Sequence, residues 1–261
     1  MLMTMEMWHL GNTIDPLKAV LLQLALIPLL VGLSYYSGFE RTFVWQEDVI
    51  DAFVAIAVGY TTAAFFLLMF NVIGWGMSPE EVVGKLIIQA APGSIGALLA
   101  QSQLGGAEEA GDALADDSRG EDAGDRSQQP ASSYGSEMFI MAVGALFMSL
   151  NIAPTEEVIL IAVRMTSWHH LALVVTSLAV MHSFVYAVRF RGGERIGEGE
   201  SRVRTFLRFT VSGYALVLLI SAATLWVFGY IAENSPHSWI AMLVVLGFPA
   251  AVGAAAARLI L

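Results

Sequence analysis

Three polar side chains stand within otherwise apolar stretches: Glu6, Asn71 and Asn151. A carboxylate can take up or release a proton, and a carboxamide offers both donors and an acceptor. Together they could line a route for a small cation or a proton. A charged group at the centre of a membrane helix costs roughly 2.5–3.5 kcal/mol on insertion scales, so such groups mark pathways or paired contacts. The plainer alternative is hydrogen bonding between helices, at about 0.6 kcal/mol per pair. Arg164 also needs a partner, and Glu157, seven residues earlier, shares its helix face.

Two pairs of acids, Glu80-Glu81 and Glu156-Glu157, follow Ser78-Pro79 and Pro154-Thr155. Ser or Thr, Pro and then acids form a helix-start signature, and the acids complement the helix dipole. The same pairs could act as an acidic mouth that concentrates cations at the external face. His169, His170 and His182 fit no metal-ligand spacing. A proton relay suits them better, because imidazole titrates near neutral pH. No metal or cofactor is expected. The chain has no nucleophile elbow, paired catalytic aspartates or cofactor fingerprint, so it reads as a non-enzyme. Cysteine is absent, which excludes disulfides and thiolate chemistry. Nucleic acid is not an expected partner, because no basic face is interleaved with aromatics.

These residues must be held by membrane elements. Hydrophobic residues make up 56% of the 261-residue chain and charged ones 14%, against about 25% charged in soluble domains. Seven apolar runs, near 18–37, 49–75, 82–101, 136–153, 168–188, 206–230 and 238–261, are each long enough to cross a bilayer, which takes about 20 helical residues. Lipid satisfies no backbone groups, so the runs are expected as helices. They are continuously apolar rather than alternating, which disfavours a β-barrel. The fold class is therefore all-α and polytopic, with the lipid bilayer as its surroundings.

The net charge of −10 is concentrated, with Glu108, Glu109, Asp112, Asp116, Asp117, Glu121, Asp122 and Asp125 in one loop. Residues 103–134 are expected to form a disordered acidic linker, open to a cytoplasmic partner. Arg189, Arg191, Arg195, Arg202 and Arg204 place the loop after the fifth run in the cytoplasm by the positive-inside rule. Alternation then puts ten basic residues inside. Lys18, Lys85 and Arg164 fall outside or at the outer boundary. The C-terminus is cytoplasmic.

Residues 78–101 and 235–258 align without a gap, sharing Ser78/Ser235, Pro79/Pro236, Leu86/Leu243, Pro92/Pro249, Gly96/Gly253, Ala97/Ala254 and Ala100/Ala257. Gly59-Tyr60 and Gly213-Tyr214 precede them. A parallel duplication of a four-helix unit is expected, with 1–102 and 135–261 as the two copies. Leu2–Met7 resembles Phe147–Ile152, which matches Glu6 with Asn151 and implies that most of one helix is missing from the first copy. Duplicated membrane folds place their sites between the repeats. Pro92 and Pro249 should bend their helices, and the small-residue run Gly253–Ala257 suits a close helix contact, within a protomer or in a homo-oligomer.

Thr4-Met5-Glu6-Met7-Trp8, Gly32-Leu33-Ser34-Tyr35-Tyr36-Ser37-Gly38-Phe39 and Pro154-Thr155-Glu156-Glu157 resemble an uncharacterised bacterial family of polytopic integral membrane proteins. The resemblance covers nearly the whole chain. It implies a bacterial inner-membrane location, more apolar sequence before Thr4, and no established activity. The leading functional expectation is a channel or transporter for a small cation or protons, with its pathway at the repeat interface. The alternative is a non-transporting scaffold that recruits partners.

Overall fold

The computed structural model describes residues 4–37, 45–116, 134–190, 206–233 and 235–260, and among these every regular element is helical. The helices are α1 (Met5–Thr13), α2 (Pro16–Ser37), α3 (Trp45–Met69), α4 (Pro79–Asp116), α5 (Tyr134–Ile152), α6 (Glu156–Arg164) and α7 (Ser167–Phe190). A wider π-helical turn, Phe206–Val211, leads into α8 (Ser212–Val227), followed by α9 (Tyr230–Glu233) and α10 (Pro236–Ile260). Among the described residues, six stretches are long and apolar enough to cross a membrane: Pro16–Tyr36, Trp45–Met69, Pro79–Gln101, Tyr134–Ile152, Phe206–Val227 and Pro236–Leu259.

Short-range chemistry sets the helix boundaries. Pro16 disfavours helical geometry at the residue before it, and Ile14 closes α1 in extended backbone. The Asp15 carboxylate then accepts from the amides of Leu17 and Lys18, capping α2. The Ser78 and Ser235 hydroxyls accept from the amides of Glu81 and Ser238. Each is followed by a proline in the first turn, where the missing N–H costs nothing.

Asn71 and Gly229 adopt positive φ, 56° and 91°. At Asn71 the Val72 amide bonds back to the Leu67 carbonyl and the Asn71 amide to Leu68. This pattern ends a helix on a left-handed residue. The expected run 49–75 therefore overshoots, and Asn71 lies in the loop after α3 rather than late in a crossing helix.

Three further expectations are corrected. Glu6 stands in the first turn of the nine-residue α1, not at the end of a crossing helix. Arg164 is the exposed last residue of the equally short α6, and no ion pair joins it to Glu157 among the described residues. Helix α4 continues to Asp116, into the expected linker, because Ala107, Glu108, Glu109, Ala110, Ala113 and Ala115 favour helix and extend a turn already nucleated. The rest of that segment, 117–133, lies outside the described residues.

Helices α4 and α10 are the central struts. Helix α4 packs on α1, α2 and α3; α10 packs on α5, α6, α7 and α8. Glycine brings backbones together at the α1–α4, α3–α4 and α5–α10 contacts. A Cβ at Gly11 would fall 2.6 Å from the Lys85 Cα, and one at Gly59 would fall 2.8 Å from the Ser94 amide nitrogen. Gly144 of α5 and Gly253 of α10 each face the other's carbonyl, and Ala257 lies alongside. The expected small-residue contact is thus made within the protomer.

Candidate functional site

The contact between the two halves, where a pathway was expected, has an apolar interior, with Lys18 donating to the Trp226 carbonyl at one end. Helix α5 packs on α2 and α4, and α8 touches α2. Gly32 abuts the Phe139 ring, Gly96 the Phe147 ring, and Leu30, Ile95, Leu150 and Leu246 belong to one buried cluster running across the seam.

The expected pathway residues are not brought together. Glu6 stands in the first turn of α1, which Thr4 caps: its carboxyl interacts with its own backbone amide and the Thr4 hydroxyl, which hold it below the usual carboxylate range. Asn71 is exposed in its loop. Asn151 is buried and donates to the Phe147 carbonyl of its own helix at 2.7 Å. Glu80, Glu156 and Glu157 are exposed and Glu81 is partly so, all in first turns. Pro92 and Pro249 lie inside continuous helices.

Helix starts also absorb two other polar residues. The Thr155 hydroxyl donates to the Ile152 carbonyl rather than capping α6. His169 Nδ1 lies 2.7 Å from the Thr166 hydroxyl at the start of α7.

Several groups missed in the sequence are buried instead. In the first half, the Ser34 hydroxyl lies 3.2 Å from Asp48 and 3.1 Å from Asp51, and Lys85 donates to the Val72 carbonyl at 3.2 Å. In the second half, Glu137 of α5 pairs with Arg258 of α10. The Arg258 guanidinium lies 4.7 Å from the centroid of the Phe209 ring, a cation–π contact. Tyr134 donates to the Arg208 carbonyl at 3.0 Å and its ring carries the Arg208 guanidinium. These groups join the start of α5, the π-helical turn and the end of α10.

Above this cluster, His182 Nδ1 of α7 lies 2.9 Å from the Thr210 hydroxyl. The Tyr214 hydroxyl of α8 is turned toward the hydroxyl of Ser177 of α7 but closes no hydrogen bond of normal geometry among the described residues. His170 Nε2, the Ser221 hydroxyl and the Ser149 hydroxyl are likewise buried without a hydrogen-bond partner there. By contrast, Ser94, Ser177 and Thr224 donate to carbonyls of their own helices, the usual resort of a hydroxyl in a membrane helix. Trp8 Nε1 is the corresponding case in the first half. Among the described residues, no group of three or more His, Asp or Glu side chains could hold a metal ion.

A bundle of long apolar helices defines a multi-pass integral membrane protein. The chain belongs to the family described as "Putative integral membrane protein (DUF2391)", which matches residues 1–261. No curated protein and no solved structure matches it.

Proposed function

We propose that the protein conducts or transports protons or a small cation, along a route inside the second half rather than between the halves. The observation that carries this is the clustering of the orphaned polar atoms: apart from Trp8 Nε1 in the first half, those named above, on His170, Ser149, Tyr214 and Ser221, are in the second half, around α5, α7, α8 and α10. Leaving a buried polar group unsatisfied costs about 1–3 kcal/mol, and polar groups retained inside a membrane mark ion and proton routes. The test is flux in proteoliposomes for H⁺, Na⁺, K⁺ and divalent cations. Flux that falls with Tyr214→Phe is the expected result; no flux from folded protein overturns the reading.

The apolar seam favours a second reading, a non-transporting scaffold. It would recruit partners through the acidic segment 103–134 and the basic loop carrying Arg191, Arg195, Arg202 and Arg204. No flux, with partner recruitment lost when these charges are removed, is its expected outcome.

The same proposal includes seven crossings, a parallel duplication and a cytoplasmic C-terminus in a bacterial inner membrane. Support for a seventh crossing comes from the 24-residue α7, which meets the π-helical turn and the start of α8 in antiparallel order, His182 at Thr210 and Ser177 at Tyr214, and packs on α10. Support for duplication comes from corresponding corners. Both short helices begin at a threonine and end in extended backbone, at Ile14 and Met165. Both long corners place a left-handed residue before a Ser-Pro cap, Asn71 before Ser78 and Gly229 before Ser235. In this register Glu6 matches Glu157, not Asn151.

A further inference from the structure

The polar groups of α7 and α8 share a register. Thr210 meets His182, and Tyr214 faces Ser177. Moving outward, Ser221 lies seven residues beyond Tyr214 on α8, and His170 lies seven residues from Ser177 on α7, in the opposite chain direction. Seven residues are nearly two full turns, so each new group stays on the face of the one before it. Equal steps along antiparallel helices reach equal depth, so His170 and Ser221 stand at one level, about 10 Å from the Tyr214–Ser177 level. The His182–Thr210 level lies about 6 Å to the other side, by the same rise per residue. Helix α10 packs on both helices, and at the middle level its Gly247 lets the backbone approach, where a Cβ would be 3.6 Å from the Tyr214 hydroxyl oxygen.

We propose that these three levels form a hydrated proton path through the second half. The inference rests on the transport reading and names its substrate class as the proton rather than a metal cation. Each level offers two groups that can both give and take a proton. A hydroxyl accepts a proton on a lone pair as it releases its own, and an imidazole gains one at one ring nitrogen and loses one at the other. Protons in and out balance at every group. A hard metal cation instead needs about six or more oxygen ligands at one level, and the ladder supplies none of that crowding. Among the described residues, the buried carboxylates are Asp48 on α3 and Glu137, which is held by Arg258. At hydrogen-bond lengths of about 2.8 Å, one water bridges the shorter gap and two or three bridge the longer one. Charged groups gather at the end of the ladder near His182: Glu137 from α5, Arg208 from the π-helical turn and Arg258 from α10. Exposed His169, bonded to Thr166, flanks the other end.

Two measurements on the full chain decide it. In proteoliposomes, H⁺ flux without Na⁺ or K⁺ flux is expected, falling about ten-fold or more in Tyr214→Phe and in Ser221→Ala. Because the chain has no cysteine, Ser177→Cys and Ser221→Cys can each be probed with a small water-soluble methanethiosulfonate. Both should react well above Ala91→Cys, which is buried in the apolar cluster. Na⁺ or K⁺ flux that Tyr214→Phe leaves unchanged keeps the transport reading and overturns the ladder. Thiols as inert as that of Ala91→Cys overturn the ladder whatever the flux. No flux of any ion from folded protein overturns both.

Discussion

Single residues at the helix ends do structural work that their composition disguises. Asn71 holds φ at 56°, a conformation that costs an ordinary L-residue roughly 1–2 kcal/mol and that Asn and Gly tolerate. Asn71→Ala should therefore lower stability in detergent by about 1 kcal/mol, and Asn71→Gly should leave it nearly unchanged. A fall of equal size in both variants would mean that the side chain, not the backbone, matters. At Glu6, the backbone amide and the Thr4 hydroxyl favour the carboxylate, so its folded pKa lies below the ordinary value. The stabilisation is then present above the ordinary carboxylate range and is lost as pH falls through the lowered value. Glu6→Gln should remove that part of the acid-side decline in melting temperature and leave the neutral-pH plateau with only a small loss. Much of this scale was legible, because capping is local: Ser78-Pro79-Glu80-Glu81 announces a helix start with no tertiary information. The helix end at Asn71 was not legible, because Phe70, Val72, Ile73 and Trp75 extend the apolar run past the true end of α3. Gly74 and Gly76 were the overlooked signal.

Between elements, backbone approach at glycine and one buried ion pair fix the second half. A side chain at Gly253 would strike Met148 and the Gly144 carbonyl, whereas one at Gly96 would meet the Phe147 ring at an ordinary 3.4 Å. Gly253→Leu should cost about 3 kcal/mol by forcing α5 from α10, and Gly96→Ala should cost less than about 1 kcal/mol. Chemical unfolding in mixed micelles would rank them, and equal costs would remove the crossing at Gly144 as the explanation. The Glu137–Arg258 pair gives a second contrast. Glu137→Ala leaves a largely buried guanidinium without its carboxylate and should cost about 3 kcal/mol, while the double variant Glu137→Met with Arg258→Met should recover most of that loss. A double variant as unstable as the single one would show that packing, not charge, holds this corner. Periodicity and small residues made the α10 face legible. Its partner was not, because Gly144 and Glu137 lie more than a hundred residues before Gly253 and Arg258, and one sequence carries no pairing information. The ladder shows the same limit: Tyr214, Ser177 and Ser221 are ordinary residues of apolar helices until α7 and α8 are laid antiparallel.

At the scale of the molecule, the corners sort into two ends, and this supports the directions of α2, α5, α8 and α10. Lys18 at the start of α2 donates to the Trp226 carbonyl at the end of α8, and Tyr230 donates to the Pro154 carbonyl between α5 and α6. At the other end Tyr134 meets Ser212, and Glu137 meets Arg258. If α7 crosses, the His182–Thr210 contact lies at the second end, with Arg208 and Arg258. On the proposed topology the positive-inside rule, applied to Arg189, Arg191, Arg195, Arg202 and Arg204, would make that end cytoplasmic. The absence of cysteine allows a direct check by single thiols and a membrane-impermeant label on intact cells. Gly76→Cys, Glu156→Cys and Ser235→Cys should label from outside, whereas Gly135→Cys and Leu207→Cys should label only after lysis. Glu156 and Leu207 flank α7 and are both exposed, so this pair isolates its crossing. Labelling of both from outside would reduce the crossings to six and place the levels of the ladder on a helix that does not span the membrane, leaving them no two compartments to connect.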